Sequence, residues 1–246
     1  MTGPVTTSAA VAGHTAAETG GGSHSSMLNK LRAGVLGAND GIVSVAAMVM
    51  GVAGATTDSF AILVAGVAGL SAGALSMAVG EYVSVSAQRD SERALLARER
   101  WELENLPDQE LAELASLYEA KGLTPDLAHQ VATQLTHHDA LGAHAEAELG
   151  IDPDELVNPW HAAWASMGAF VLGALVPLLV MVLTAPSVRV WATAGAVVGA
   201  LVLTGVFSAR IGGARVLPAV VRVVSGGVLA MAITYAIGML VGGGIA

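Results

Sequence analysis

Residues 60–87 read FAILVAGVAGLSAGALSMAVGEYVSVSA, and the chain runs straight on into QRDSERALLARERWELEN at 88–105. The first stretch carries a single charged residue, Glu81, and is long enough to cross a bilayer, which takes roughly 20 apolar residues in a helix. The second stretch is as polar as the first is apolar. No proline separates them. Together they predict a span whose helix leads out of the membrane into a polar insert.

Working outward, four more apolar segments qualify as spans, at about 33–55, 160–184, 189–209 and 217–243. The breaks between them are legible as Thr56-Thr57-Asp58-Ser59, Ala185-Pro186-Ser187 and Gly212-Gly213. Of the 246 residues, 54% are hydrophobic and 13% charged, about half the charge expected of a soluble domain. The predicted class is all-α: a five-span helical membrane protein with a three-helix insert between spans two and three. The chain divides into a disordered tail (1–28), spans one and two (29–87), an acidic helical domain (88–157), and spans three to five (158–246). The tail is rich in Gly, Ser, Thr and Ala, has no Lys or Arg, and lacks the pattern of a secretory signal. His14 and His24 within it read as solvated. With no cysteine there are no disulfides and no thiolate ligands.

Charge sets the orientation. Lys30 and Arg32 precede the first span, Arg89, Arg93, Arg98, Arg100 and Lys121 lie in the insert, and Arg210 and Arg215 separate the last two spans. Arg189 falls on the other side, and Arg222 lies at the edge of the last span. The bias toward Lys and Arg on the inner face then makes the N-terminus and the insert cytoplasmic. Of the 20 acids, all but Glu18, Asp40, Asp58 and Glu81 fall in the insert. Such an acidic domain on a neutral membrane body excludes nucleic acid as a partner and favours cations.

Three helices are predicted in the insert. The first, from about Gln88 to Asn105, continues the second span. Pro107 opens the next, with Asp108 and Glu110 at the positive end of its dipole, and Gly122 ends it. Thr124-Pro125-Asp126 caps a third that runs to Gly150. The apolar stripe Leu111, Leu114, Leu117 and Tyr118 offers little core, so the insert is expected to lean on the membrane body or on a second copy.

Glu99 and Glu102 are one helical turn apart and share a face; Glu110 and Glu113 repeat the arrangement on the next helix. A hairpin at Leu106-Pro107 would bring four carboxylates together, and acids so placed repel unless a cation compensates them. A solvated acidic helix face is the competing reading. His144 and Glu148 share a face near the end of the third helix, and an imidazole among oxygen ligands favours iron, manganese, cobalt or zinc over calcium. His129, His137 and His138 on that helix read as solvated.

Within the spans, Asp40 lies in Gly37-Ala-Asn-Asp-Gly41. A carboxylate at membrane depth costs roughly 3 kcal/mol or more, and such residues line paths or sites. The competing reading is an Asp hydrogen-bonded to a neighbouring helix. Met77 offers a thioether suited to softer transition metals, or simply packs. Glu81, one turn further, reads as a cytoplasmic gate or as an interfacial carboxylate in water. Small residues such as Gly66, Gly69, Gly226 and Gly227 permit close helix packing, and Pro177 would kink span three.

In order, these residues resemble the vacuolar iron transporter family. The likeness is carried by Leu36-Gly-Ala-Asn-Asp-Gly-Ile-Val-Ser44, Gly73-Ala-Leu-Ser-Met-Ala-Val-Gly-Glu-Tyr-Val-Ser84, Gln88-Arg-Asp-Ser-Glu92, Asp139-Ala-Leu-Gly-Ala-His144, Glu148-Leu-Gly-Ile151 and the stretch from Thr204 to Tyr235. It covers essentially everything after residue 30. The resemblance implies a homodimer of five-span protomers with the ion path between them, exporting ferrous iron, and often manganese, from the cytosol in exchange for protons. It implies that Asp40 and Met77 stand along that path and that Glu99, Glu102, Glu110, Glu113 and Glu148 collect metal. Plant members have neighbouring methionines where His144 and Ala145 stand here.

The expected function is therefore a divalent metal/proton antiporter with no prosthetic group, binding Fe²⁺ (or Mn²⁺, Co²⁺, Zn²⁺) as substrate. Its partners are the bilayer, protons and a second copy, and its expected place is a bacterial plasma membrane. A membrane-anchored di-iron ferroxidase or metal store is the alternative, but ferritin-like sites need paired Glu-x-x-His motifs that the insert lacks. A purely structural scaffold leaves Asp40 and the clustered acids unexplained.

Overall fold

The computed structural model describes residues 21–154 and 156–243. Every regular element among them is helical. In chain order they are α1 (Gly21–Ala55), α2 (Ser59–Asn105), α3 (Pro107–Ala120), α4 (Pro125–His144), α5 (Pro159–Leu183), α6 (Arg189–Ile211) and α7 (Val216–Gly243). A π-helical stretch, Ala145–Leu149, continues α4.

Five helices are long and apolar enough to cross a membrane: α1 from Gly34, α2, α5, α6 and α7. Large apolar side chains such as Phe60, Leu75, Leu172, Trp191 and Leu240 stand exposed along them. Water would penalise such a surface and lipid does not, so the chain is a multi-pass membrane protein. At 47 residues α2 spans about 70 Å, more than twice the roughly 30 Å of hydrocarbon. Its second half must lie outside the membrane. Tyr82 packs its ring against Trp160 at the start of α5, with centroids 4.7 Å apart, an aromatic pair of the kind found at the bilayer surface.

Local signals account for the ends. Asp58 caps α2 by accepting from the Phe60 N–H at 2.9 Å, and Asn158 caps α5 by accepting from the Trp160 N–H at 3.0 Å. Pro107, Pro125 and Pro159 occupy first-turn positions where a missing N–H costs nothing. Gly122 and Gly150 take the positive φ that ends α3 and the π-helical stretch. Thr124 stands at the predicted cap of α4, but its side chain makes no capping bond. Pro177 lies buried inside α5, which continues through it.

At the centre of the bundle is α1, which packs chiefly against α5 and α7 and also touches α2 and α6. Glycine makes this possible. A Cβ on Gly41 would collide with the Phe170 carbonyl, one on Gly173 with that of Ala38, and one on Gly238 with that of Gly51. Close backbone approach replaces the hydrophobic driving force that lipid cannot supply. The core around it includes Val45, Ala46, Val49, Ile62, Phe170, Met181, Val197 and Leu201. Arg189 at the start of α6 donates to the Thr57 carbonyl (2.6 Å) and to Ser59 Oγ (3.0 Å), tying α6 to the turn between α1 and α2.

One expectation needs correction and another narrows. First, α1 begins at Gly21, so 21–28 continue a helix where a disordered tail was expected. The remainder of that tail, 1–20 with His14, lies outside the described residues, as does Glu155. Second, of the two expected neighbours of the insert, the membrane body of the same chain is not one: α3 and α4 touch only each other, the π-helical stretch and the extension of α2. Their small core, Leu114, Ala115 and Ala132, is not completed by the membrane body of the same chain.

Candidate metal centre and transit cavity

The extension of α2 presents Glu99, the first turn of α3 presents Glu110, and the junction of α4 with the π-helical stretch presents His144 and Glu148. His144 is fully buried, Glu99 is 3% exposed and Glu110 5%. From His144 Nδ1 the distances are 3.0 Å to Glu99 Oε1, 3.6 Å to Glu110 Oε2 and 4.0 Å to Glu148 Oε2. Ligand atoms of Glu99, His144 and Glu148 all lie within 4.8 Å of one another. Despite the short separation, neither His144 nitrogen nor Glu99 Oε1 makes a hydrogen bond of acceptable geometry. Buried polar atoms without partners are costly. Two of them, His144 Nδ1 and Glu99 Oε1, lie 3.0 Å apart with Glu110 and Glu148 nearby, and form a candidate ligand set.

A kink aims His144. Within α4, Asp139 leaves the helical region (φ −159°, ψ 95°), and its Oδ1 accepts from the Gly142 N–H at 3.0 Å. That carboxylate caps a restarted helix, and the π-helical stretch then sets Glu148 beside His144.

Electrostatics follow from burying acids together. Desolvation, followed by the charges of Glu148, Glu110, Glu102 and Glu113, raises Glu99 to about 7. Glu110 is raised by desolvation first and then by Glu113, and Glu148 likewise. Burial lowers His144, so its imidazole is neutral and able to ligate near pH 7. A neutral imidazole amid strained carboxylates suits Fe²⁺, Mn²⁺, Co²⁺ or Zn²⁺.

The expected four-carboxylate meeting forms only in part. Glu102 Oε1 accepts from Arg98 Nε (3.1 Å) and Nη2 (3.0 Å) and so turns aside. Glu113 is exposed and acts on the cluster through its charge. His129, His137 and His138 are exposed, as expected.

On the bundle, α1, α2 and α7 line an open cavity of about 590 Å³ whose walls include Asp40, Asn39, Met77 and Arg222 among apolar residues. Asp40 and Met77, far apart in sequence, share this space. The Ser44 hydroxyl donates to Asp40 Oδ1 at 2.8 Å, within α1 itself and not across to a neighbouring helix. Asn39 Oδ1 is buried without a partner. Glu81 lies one turn beyond Met77 and does not line the cavity.

A profile of the VIT family matches residues 31–239. The chain belongs to the VIT family. It is 46% identical over 214 residues to a protein of Acanthamoeba castellanii named vacuolar iron transporter, covering 85% of this chain and 78% of that one. Vacuolar iron transporter homolog 2.1 of Arabidopsis thaliana is 38% identical over 213 residues, covering 86% and 81%. Vacuolar iron transporter homolog 1 of Oryza sativa subsp. japonica is 37% identical over 239 residues, covering 95% and 83%. VIT family members are transporters and not enzymes.

Sequence reasoning passed over Asn39, Ser44, Asp139 and Arg222 in this VIT chain. Asn39 and Ser44 sat inside quoted motifs and could have been weighed with Asp40. Arg222 stands out as a basic residue at the edge of the last span, but only the packing of α7 against α1 brings it to the cavity.

Proposed function

We propose that the protein moves ferrous iron, with manganese as a second substrate, out of the cytosol in exchange for protons. The carrying observation is His144, buried with both ring nitrogens unpaired where Glu99, Glu110 and Glu148 converge. That set suits a divalent transition metal, and relatives named vacuolar iron transporter agree with it.

In this reading the insert faces the cytosol and concentrates ions on Glu99, Glu110, His144 and Glu148, while Glu102 and Glu113 add negative field. Each ion then enters the bundle cavity, where Asp40 supplies charge and Met77 a soft sulfur. Glu81 stands at the bilayer surface between the two. Protons couple to transport because a protonated carboxylate loses most of its affinity for metal. Arrival of metal displaces protons from the acids, and arrival of protons releases metal. A second copy completes the path, the bacterial plasma membrane being the expected setting.

Proteoliposomes with an imposed pH gradient test this. Wild-type protein should take up Fe²⁺ only with the gradient, and Asp40→Ala should abolish uptake while leaving metal binding by the insert intact. Undiminished uptake in Asp40→Ala would remove that carboxylate from the path.

A further inference from the structure

A cavity fitted to carry a cation should not contain a second, permanent cation, yet this one does. Asp40 is the only acid in its wall and Arg222 the only base. Arg222 lies six residues into α7, about 9 Å along the helix. Arg210 and Arg215, by contrast, lie at the end of α6 and in the turn that follows. Among the described residues no acid comes within ion-pair distance of Arg222. A Cβ on Gly226, one turn further along the same wall, would meet no atom within 4 Å, so the wall is open there. An arginine serving only as a lipid anchor has no need to face the space occupied by Asp40, Asn39 and Met77.

We infer that Arg222 is a fixed counter-cation of the transit cavity, a positioning residue that sets how long a metal ion stays on Asp40. This rests on the transport reading above. With the cavity empty, guanidinium and carboxylate leave the walls neutral, so no ion need be retained to balance Asp40. With a divalent ion on Asp40, the guanidinium repels it, and the repulsion is twice that felt by a proton at the same place. Arg222 thus tilts the exchange toward proton entry and metal departure. Transport needs binding strong enough to admit the ion and weak enough to release it.

The test is full-length protein in proteoliposomes, with initial Fe²⁺ uptake measured against concentration and pH gradient for Arg222→Gln and Arg222→Lys. Removing the charge should lower KM about tenfold and cut the maximal rate several-fold, because bound ions leave slowly. Lys should behave as wild type. Asn39→Asp, which adds a negative charge to the same wall, should shift KM and rate in the same direction and gives a second reading should Arg222→Gln fail to fold. Values within twofold of wild type in Gln, or equal changes in Gln and Lys, would overturn the inference. A wild-type protein without Fe²⁺ flux would overturn the transport reading instead.

Discussion

Glu99 is a carboxylate kept from ionising by its surroundings. In the folded protein it holds its proton up to about pH 7, whereas the unfolded reference is 4.5, so between those values the native state binds more protons. Stability of the metal-free protein therefore falls as pH rises through that window, by about 3 kcal/mol from this residue. Glu110 and Glu148 shift the same way. His144 opposes them: burial lowers its proton affinity, so its contribution is present above 6.5 and lost as pH falls below it. Three acids outweigh one imidazole. The melting temperature of metal-free protein should accordingly drop between about pH 5 and about pH 7.5, and Mn²⁺ should restore it at the upper value. Glu99→Gln should flatten this profile, raise metal-free stability at neutral pH, and weaken Mn²⁺ binding about tenfold or more by calorimetry. A binding isotherm unchanged in Glu99→Gln would place the ion elsewhere.

Helices were readable where a single physical signal dominates. Long apolar runs fixed the five spans, and Pro107, Gly122 and Gly150 marked ends because proline lacks a donor and glycine tolerates positive φ. The break at Asp139 was not readable: Asp-Ala-Leu-Gly-Ala fits a helix interior, and only the capped Gly142 N–H reveals the restart. The side-by-side acids misled in a related way. Glu102 looked equivalent to Glu99, but Arg98 lies one turn before it and takes it. The pairing of Asp40 with Met77 needed the packed bundle. Since the kink aims His144, Asp139→Ala should straighten α4 and reduce Mn²⁺ affinity about tenfold, whereas Asp139→Asn and Asp139→Ser, which still cap, should retain most of it. Equal affinity in all three variants, measured by calorimetry, would make the kink irrelevant to the site.

Across the whole molecule, two candidate ligand sets lie on one chain, one along the bundle and one on the extension of α2 and the insert. The insert packs on α2 alone, so removing it leaves the five-helix bundle whole. A chain lacking residues 90–157 should therefore still insert and carry Fe²⁺ at high concentration, with KM raised about tenfold or more and selectivity among divalent metals reduced. Unaltered KM would leave the acidic cluster without a part in transport, and loss of all flux at saturating Fe²⁺ would show the bundle depends on it.

Met77 and Glu99 stand on the same unbroken helix, 22 residues and thus about 33 Å apart. A rod of that length is a lever. If α2 pivots by about 5° within the bilayer, its far end sweeps about 3 Å, comparable to the separation between His144 and Glu99. In that motion the cavity beside Met77 and the cage around Glu99 change shape together, the helix itself being the link between them.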